Sequence, residues 1–355
     1  TSSLGAGVGG VQQQSRLADL NPQDIASVEV LKGPSAAAIY GSRAQSGVIV
    51  IETKSGDYGS DFDVSFTTSY GFSEANLTPD LQTKFGQGAG GRFAPESNGS
   101  AWGDPIAMRE GGEDLKVTEP GQYFGSRGSD LYDGFSVGEQ SGDRYYPIPG
   151  AGAVDAQGNP VDPVHGGKRS QETYNHADGI FQNGQTVENN LSLSGGGEDG
   201  RFYVGIGHTQ NKGTIPKNSD FQRTSIRVNA DRRFTEDFDI GTTFNWVRNN
   251  SDRVQQGSNG SGLLLPAWRT PPGFNNEKDY LVNYRPLGEG GPVIENKQRA
   301  YTDYYGADDA PTFDNPYFVF NDIKNTTLVT RLTGNVEANY QVVSDFQLTA
   351  RVGVD

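Results

Sequence analysis

Side chains that commonly carry out catalysis are few and scattered in this sequence. It has three histidines, His165, His176 and His208, and no cysteine, so it contains neither a zinc-ligand motif nor a cysteine nucleophile. The stretch 5–10 spells GxGxxG, but a dinucleotide site needs a preceding strand, for which residues 1–4 are too short. The sequence therefore predicts no enzyme, no cofactor and no bound metal.

Aromatic residues in two long connecting segments, 73–184 and 251–325, are better candidates for contact with a ligand. Their ring faces can stack on sugar rings, and neighbouring Asp and Asn can bond hydroxyl groups. The candidate contacts are Trp102, Tyr145, Tyr146, Trp268, Tyr304 and Tyr305. The same rings could instead form the core of folded loops or an aromatic girdle at a membrane surface. The net charge of −15 argues against nucleic acid as a partner, because phosphate binding needs basic stripes.

These loops are positioned by strands in which apolar and polar residues alternate strictly. About seven segments place apolar residues on one face and Ser, Thr, Asn, Arg and Gly on the other, for example 221–233 and 326–340. A soluble sandwich would turn the apolar face into a core, whereas a transmembrane barrel would turn it to lipid. Several segments reach the length of about 9–11 residues that a membrane strand needs.

The lengths of the connections favour the barrel. Short and long gaps alternate along the chain: 73–184, 195–200, 211–220, 234–237, 251–325 and 341–345. Outer-membrane barrels have short periplasmic turns and longer extracellular loops, and a sandwich has no reason to obey this order. The sequence predicts a transmembrane antiparallel β-barrel whose loops 73–184 and 251–325 lie outside the cell.

The first 56 residues follow a different pattern. Ser27 to Leu31 is predicted as a short strand, and Pro34 suits the first turn of a short helix that ends at Gly41. The β-branched run from Val48 to Ile51 is typical of a buried strand. We therefore predict a small α/β domain over residues 1–56 and a barrel region over 57–355.

The run from residue 20 to residue 56, LNPQDIASVEVLKGPSAAAIYGSRAQSGVIVIETKSG, closely resembles the end of the plug domain of TonB-dependent outer-membrane transporters. It is most similar to the SusC/RagA subfamily, which has stretches like 40–43 and 47–50. Weaker similarities at 191–196, 227–229 and 314–316 follow the order of that subfamily's early barrel strands.

The resemblance implies a barrel of about 22 strands when complete, occluded by a plug that gates its lumen. This chain would hold the end of the plug and the first strands of the barrel. The implied function is active import of an oligosaccharide or peptide across the bacterial outer membrane. The implied partners are outer-membrane lipid, the TonB–ExbB–ExbD complex, whose contact site would precede Thr1, and a SusD-like surface lipoprotein. The alternative is a secreted or surface β-rich glycan-binding protein, similar to an adhesin or lectin.

Seven residues of the plug motif are singled out by the resemblance: Glu29, Lys32, Gly33, Tyr40, Gly41, Arg43 and Gly47. The charges of Glu29, Lys32 and Arg43 could hold a plug in a polar lumen through contacts that break during transport. Ordinary solvated charge is the equally weighted alternative. The glycines are predicted to serve turns.

Overall fold

A computed structural model describes residues 15–32, 40–44, 46–93, 101–109, 111, 170–255, 262–278, 280–284, 294–303 and 311–355. Within these ranges the strands, in chain order, are β1 (Ile25–Leu31), β2 (Val48–Thr53), β3 (Asp63–Ser73), β4 (Gly88–Ala89), β5 (Arg92–Phe93), β6 (Gly184–Gly196), β7 (Gly200–Lys212), β8 (Asp220–Thr235), β9 (Phe238–Asp252), β10 (Leu281–Tyr284), β11 (Ile294–Gln298), β12 (Thr326–Val343) and β13 (Phe346–Val354). The helices are α1 (Leu264–Arg269) and α2 (Pro316–Asp322).

Seven of these strands form one antiparallel sheet, here called the wall. Its order is β3-β6-β7-β8-β9-β12-β13, so each of these strands pairs with the wall strands that come before and after it in the chain. The strands are long; β8 has 16 residues and β12 has 18. This long-stranded meander confirms the predicted barrel sheet and is unlike the strands of about 5–6 residues that soluble domains usually contain.

The connections between wall strands alternate in length, as the sequence predicted. The short turns are 197–199, 236–237 and 344–345, and the longer connections are 74–183, 213–219 and 253–325. The strand ends differ from the predicted ones by at most three residues. All three longer connections therefore leave the wall at the same end.

The two faces of the wall differ in polarity and in burial. On one face, buried positions of β8 are Arg223, Ser225, Arg227 and Asn229. On the other face, Phe202, Ile206, Ile226 and Phe244 remain 36–42% exposed, as expected of a surface that a transmembrane barrel turns to lipid.

The N-terminal segment, defined here as residues 15–54, lies against the polar face. Two 3₁₀ turns, Arg16–Asp19 and Pro22–Asp24, lead into β1, which pairs antiparallel with β2. The prediction of a buried strand at Val48–Ile51 is wrong in one respect: Ile49 is 52% exposed and its neighbours are half-buried. The described residues do not cover the face of the β1-β2 hairpin that carries Ile49. The wall contacts the N-terminal segment mainly through the turns that precede β1. The predicted helix lies mostly outside the described residues.

The longer connections carry the remaining elements, including two short hairpins, β4-β5 and β10-β11. Within the part of the chain that the structure describes, every helix is too short or too polar to cross a membrane.

Candidate functional site

A buried polar seam joins the N-terminal segment to the wall. Asp19, Asn21 and Asp24 of the segment are only 4–5% exposed. The 3₁₀ turns hold these side chains in place: Asn21 accepts from Gln23 N at 3.2 Å, and Pro22 fits the first position of the turn because it has no amide hydrogen to satisfy.

Asp19, Asn21 and Asp24 each form a side-chain hydrogen bond across the seam. Asn249 Nδ2 donates to Asp19 Oδ1 (2.6 Å), Asn21 Nδ2 donates to Asn190 Oδ1 (2.9 Å), and Tyr203 Oη donates to Asp24 Oδ1 (2.9 Å). They engage three different wall strands, β9, β6 and β7. The segment is thus attached to the wall at several points by polar contacts.

Two wall arginines add further contacts. Arg223 donates from Nη1 to Leu20 O at 2.9 Å and from Nη2 to Thr209 Oγ1 at 3.2 Å. Arg227 donates to Thr53 Oγ1 at 2.5 Å. Burial raises the pKa of the Asp24 carboxyl above its ordinary value, although the Tyr203 hydrogen bond and the charge of Arg227 act in the opposite direction.

The seam also contains buried polar atoms without a hydrogen-bond partner. They are Ser225 Oγ, Arg227 Nε, Asn229 Oδ1 and Asn249 Oδ1, whereas Asp19 Oδ2 lies 3.5 Å from Arg16 Nη1 and 3.8 Å from Arg331 Nη1. Each such atom costs about 1–3 kcal/mol of desolvation. These atoms offset part of the stabilisation that the seam's hydrogen bonds provide.

The link between the segment and β3 is fixed by backbone contacts. Gly59 N donates to Gly197 O at 3.0 Å, and Gly196 N donates to Ser60 O at 3.2 Å. A side chain at Gly56 would place its Cβ 2.3 Å from Phe202 O, so this close approach requires glycine. The link is thus pinned to the first short turn of the wall.

Several of the motif residues predicted from the sequence are exposed or lie in turns. Glu29 and Lys32 are exposed, and Tyr40 is 51% exposed. Gly41 and Gly47 have φ of 79° and 107°, conformations that favour glycine. Arg43 lies in a 3₁₀ turn, Ser42–Ala44, and Gly33 lies outside the described residues.

Sequence reasoning missed the residues that do contact the wall. Asp19, Asn21 and Asp24 belong to no periodic element, so neither helical nor strand periodicity identifies them. The Asn-Pro pair at 21–22 was an available signal, because it is typical of a capped turn.

The longer connections pack together at one end of the wall, and their described residues are here called the loop cluster. Ile180, Leu263, Ala267 and Phe320 are at most 5% exposed and form its apolar core. Trp268 packs against this core, and its Nε1 is buried without a hydrogen-bond partner. Its surroundings are those of a core residue of a folded loop.

An enclosed ion pair stabilises the loop cluster. Arg109 binds Asp104 in bidentate fashion, with Nε–Oδ2 of 2.7 Å and Nη2–Oδ1 of 2.8 Å, and both side chains are at most 1% exposed. Arg109 Nη1 also donates to Ser170 O at 3.1 Å. One guanidinium thus ties together two distant parts of the first long connection.

The loop cluster has a cleft of about 330 Å³ on its surface. Thr78, Asp80, Tyr174, Asn175, His176 and Asp178 are among its lining residues. Polar groups beside one aromatic ring could bind a hydroxyl-rich or peptidic ligand. The sequence did not indicate this cleft, because residues distant along the chain line it.

Of the predicted aromatic contacts, the structure describes only two. Trp102 is 64% exposed, and its ring centroid lies 5.6 Å from that of Phe85. Trp102 and Trp268 therefore differ in accessibility. Tyr145, Tyr146, Tyr304 and Tyr305 lie outside the described residues.

Comparison with known proteins agrees with this architecture. Residues 5–48 match the family model of the TonB-dependent receptor plug domain. TonB-dependent receptor SusC of Bacteroides thetaiotaomicron is 27% identical over 267 residues, covering 74% of this chain and 20% of that protein. The chain is SusC/RagA-like. TonB-dependent receptor P39 of Formosa agariphila is 26% identical over 248 residues, covering 70% of this chain and 18% of the relative.

Solved structures show the same fold. The RagAB peptide importer in its open-open state matches with a TM-score of 0.54 and 19% identity, covering 98% of this chain and 35% of that one. The closed-closed state gives a TM-score of 0.53 at 20% identity, with the same coverage of both chains. The chain spans about a fifth of the length of the relatives that it matches by sequence.

Proposed function

We propose that the protein imports a nutrient across the bacterial outer membrane, and that the N-terminal segment gates the lumen of its barrel. The observation that carries this proposal is the polar seam. A plug that moves during transport needs contacts that water can replace when it leaves, and hydrogen bonds meet this need better than an apolar core. The similarity to TonB-dependent receptors supports the same reading.

The proposal extends to cargo and partners. We infer that the cargo is an oligosaccharide or a peptide and that the loop cluster, on the cell surface, contacts it through its cleft and through Trp102. The neighbouring structure is of the RagAB peptide importer, which supports a peptide as one of these cargoes, and the similarity to SusC supports a SusD-like surface lipoprotein as partner. Energy would come from the TonB–ExbB–ExbD complex.

Uptake by the full-length protein tests the proposal. Cells that express it are incubated with either a fluorescent maltooligosaccharide or a fluorescent peptide digest. We expect deletion of TonB to abolish accumulation of the cargo inside the cell but not its binding at the cell surface. Equal accumulation with and without TonB would contradict active import.

Cell fractionation tests the alternative of a secreted glycan-binding protein. We expect the full-length protein in the outer-membrane fraction, with a gel mobility in detergent that changes on heating, as folded barrels show. A soluble protein without this change would favour the adhesin or lectin.

A further inference from the structure

Two wall glycines lie directly beneath the buried polar side chains of the N-terminal segment. Gly205 and Gly207 are successive inward-facing positions of β7, because side chains of a strand alternate between its faces. A Cβ at Gly205 would lie 2.3 Å from Asp24 Oδ1, and a Cβ at Gly207 would lie 2.4 Å from Asn21 Nδ2. Real Cβ contacts essentially never fall under 3.0 Å.

The closest of these atoms belong to side chains of the segment, and a Cβ at Gly207 would also lie 2.9 Å from the wall side-chain atoms Asn190 Oδ1 and Ser225 Oγ. Asp24 and Asn21 are 4% and 5% exposed, so neither has open space to move into. Moving them would break the Tyr203–Asp24 and Asn21–Asn190 hydrogen bonds, both 2.9 Å long. The atoms met are not wall backbone, so the β7 ladder itself would stay intact.

Other wall glycines do not share this arrangement. A Cβ at Gly334 would lie 2.5 Å from the backbone oxygen Thr243 O, so it would disturb the wall itself. A Cβ at Gly71 meets only Thr186 Cβ, at 3.9 Å. The close approach to the buried side chains Asn21 and Asp24 is therefore a property of Gly205 and Gly207.

We propose that Gly205 and Gly207 form a seat in the barrel wall that positions the turn Pro22–Asp24 and thereby sets how firmly the plug closes the lumen. The proposal rests on the proposed gating function. The glycines are positioning residues: they leave room for Asn21 and Asp24 to reach Asn190 and Tyr203. Larger residues at either position would leave the barrel assembled and the plug loosened.

Hydrogen exchange in the purified full-length protein tests the seat directly. For Gly205→Ala and for Gly207→Ala we expect the amides of residues 18–25 to exchange roughly ten- to hundredfold faster, the range that overpacking of a well-fitted contact produces. Gly71→Ala is the matched control and should leave exchange there unchanged. Equal exchange in Gly207→Ala and Gly71→Ala would overturn the proposal.

A rescue variant separates the seat from a general effect of alanine on β7. Asn21→Ser removes the amide nitrogen but keeps an oxygen that can cap the following turn. In this background we expect Gly207→Ala to add less to the exchange rate, because the closest contact of the new Cβ, Asn21 Nδ2, is gone and only the wall atoms Asn190 Oδ1 and Ser225 Oγ remain near it. An undiminished effect of Gly207→Ala would show that the glycine does not act through Asn21.

Permeability gives a second readout in cells. Cells lacking TonB and expressing Gly205→Ala or Gly207→Ala should become sensitive to vancomycin, which an occluded barrel excludes, whereas Gly71→Ala cells should stay resistant. If both seat variants failed to assemble while Gly71→Ala assembled, the glycines would serve folding of the wall and the proposal would be wrong. Exchange needs no transport, so it can support the seat even if uptake by the wild type fails.

Discussion

The seam and the loop cluster hold chain segments together through different contacts. In the loop cluster, Arg109 and Asp104 form an enclosed bidentate ion pair, and Ile180, Leu263, Ala267 and Phe320 form an apolar core. In the seam, most contacts are single hydrogen bonds, such as those of Tyr203 to Asp24 and of Asn21 to Asn190, while buried atoms without a hydrogen-bond partner occur in both regions, for example Asn249 Oδ1 and Trp268 Nε1. An enclosed pair resists opening because each charge would be left unpaired. The comparison shows that an enclosed ion pair and apolar packing hold the loop cluster, whereas single hydrogen bonds hold the seam; this difference is what the proposed gating requires.

Buried apolar residues contribute more to the loop cluster than to the seam. Phe274 of the loop cluster is 1% exposed and carries the guanidinium of Arg299 4.4 Å above its ring. Where the wall faces the N-terminal segment, the buried residues are mostly Ser, Thr, Asn and Arg. Apolar burial gains about 25 cal/mol per Å², and the seam largely lacks this contribution.

The largest effect is expected from breaking the enclosed pair. Asp104→Ala removes the bidentate carboxylate from the buried Arg109 guanidinium, which should destabilise the loop cluster by about 3–5 kcal/mol. Hydrogen exchange of residues 170–178 in the full-length protein measures the loss. Glu337→Ala is the control, because its pair with Arg351 is partly exposed and should contribute only about 0–1 kcal/mol. Similar exchange in both variants would mean that the enclosed pair does not stabilise the loop cluster, and the contrast with the seam would be lost.

An intermediate effect is expected from Arg223→Ala in the seam. This variant removes the hydrogen bond to Leu20 O and should weaken docking by about 1.5–3 kcal/mol, as for hydrogen bonds from charged groups. Exchange should rise in residues 18–25 and stay unchanged in residues 170–178. A comparable rise in both regions would mean that they unfold together, contrary to the comparison above.

Smaller effects are expected from the two tryptophans. Trp268→Phe keeps the apolar body and removes an unpartnered donor, so stability should change by less than about 1 kcal/mol and ligand binding should not change. Trp102→Ala should also leave stability nearly unchanged, but it should weaken surface binding of the fluorescent cargo. Loss of binding in Trp268→Phe alone would mean that Trp268, and not Trp102, contacts the cargo.

The smallest effect is the pH dependence of the seam. Because docking raises the pKa of Asp24 above 3.8, the docked form holds the proton more readily, and this contribution is lost as pH rises through the raised pKa. Exchange of residues 18–25, corrected for the intrinsic rate, should be slower at about pH 4 than at about pH 7. Asp24→Asn should abolish the difference. A seam that loosens at the lower pH would contradict the assigned direction.

Much of the fold could be predicted because it depends on local pattern. Two-residue alternation determined the seven wall strands, and the order of short and long connections determined which ends of the strands lie together. The run 20–56 resembles a plug domain through its residues alone. The burial of Val48–Ile51 was less predictable, because a continuous apolar run does not show which other chain segments cover it.

The sequence by itself determined the alternating strands, their connections and the resemblance of the first residues to a plug. Only the tertiary structure decided which polar residues meet. Asp24 and Tyr203 are 179 positions apart, and Gly205 and Gly207 look in the sequence like any strand glycines. The sequence pattern indicates the local conformation and the face on which each residue lies. The seam depends on how two separate surfaces fit together, and the periodicity of a single segment carries no information about that fit.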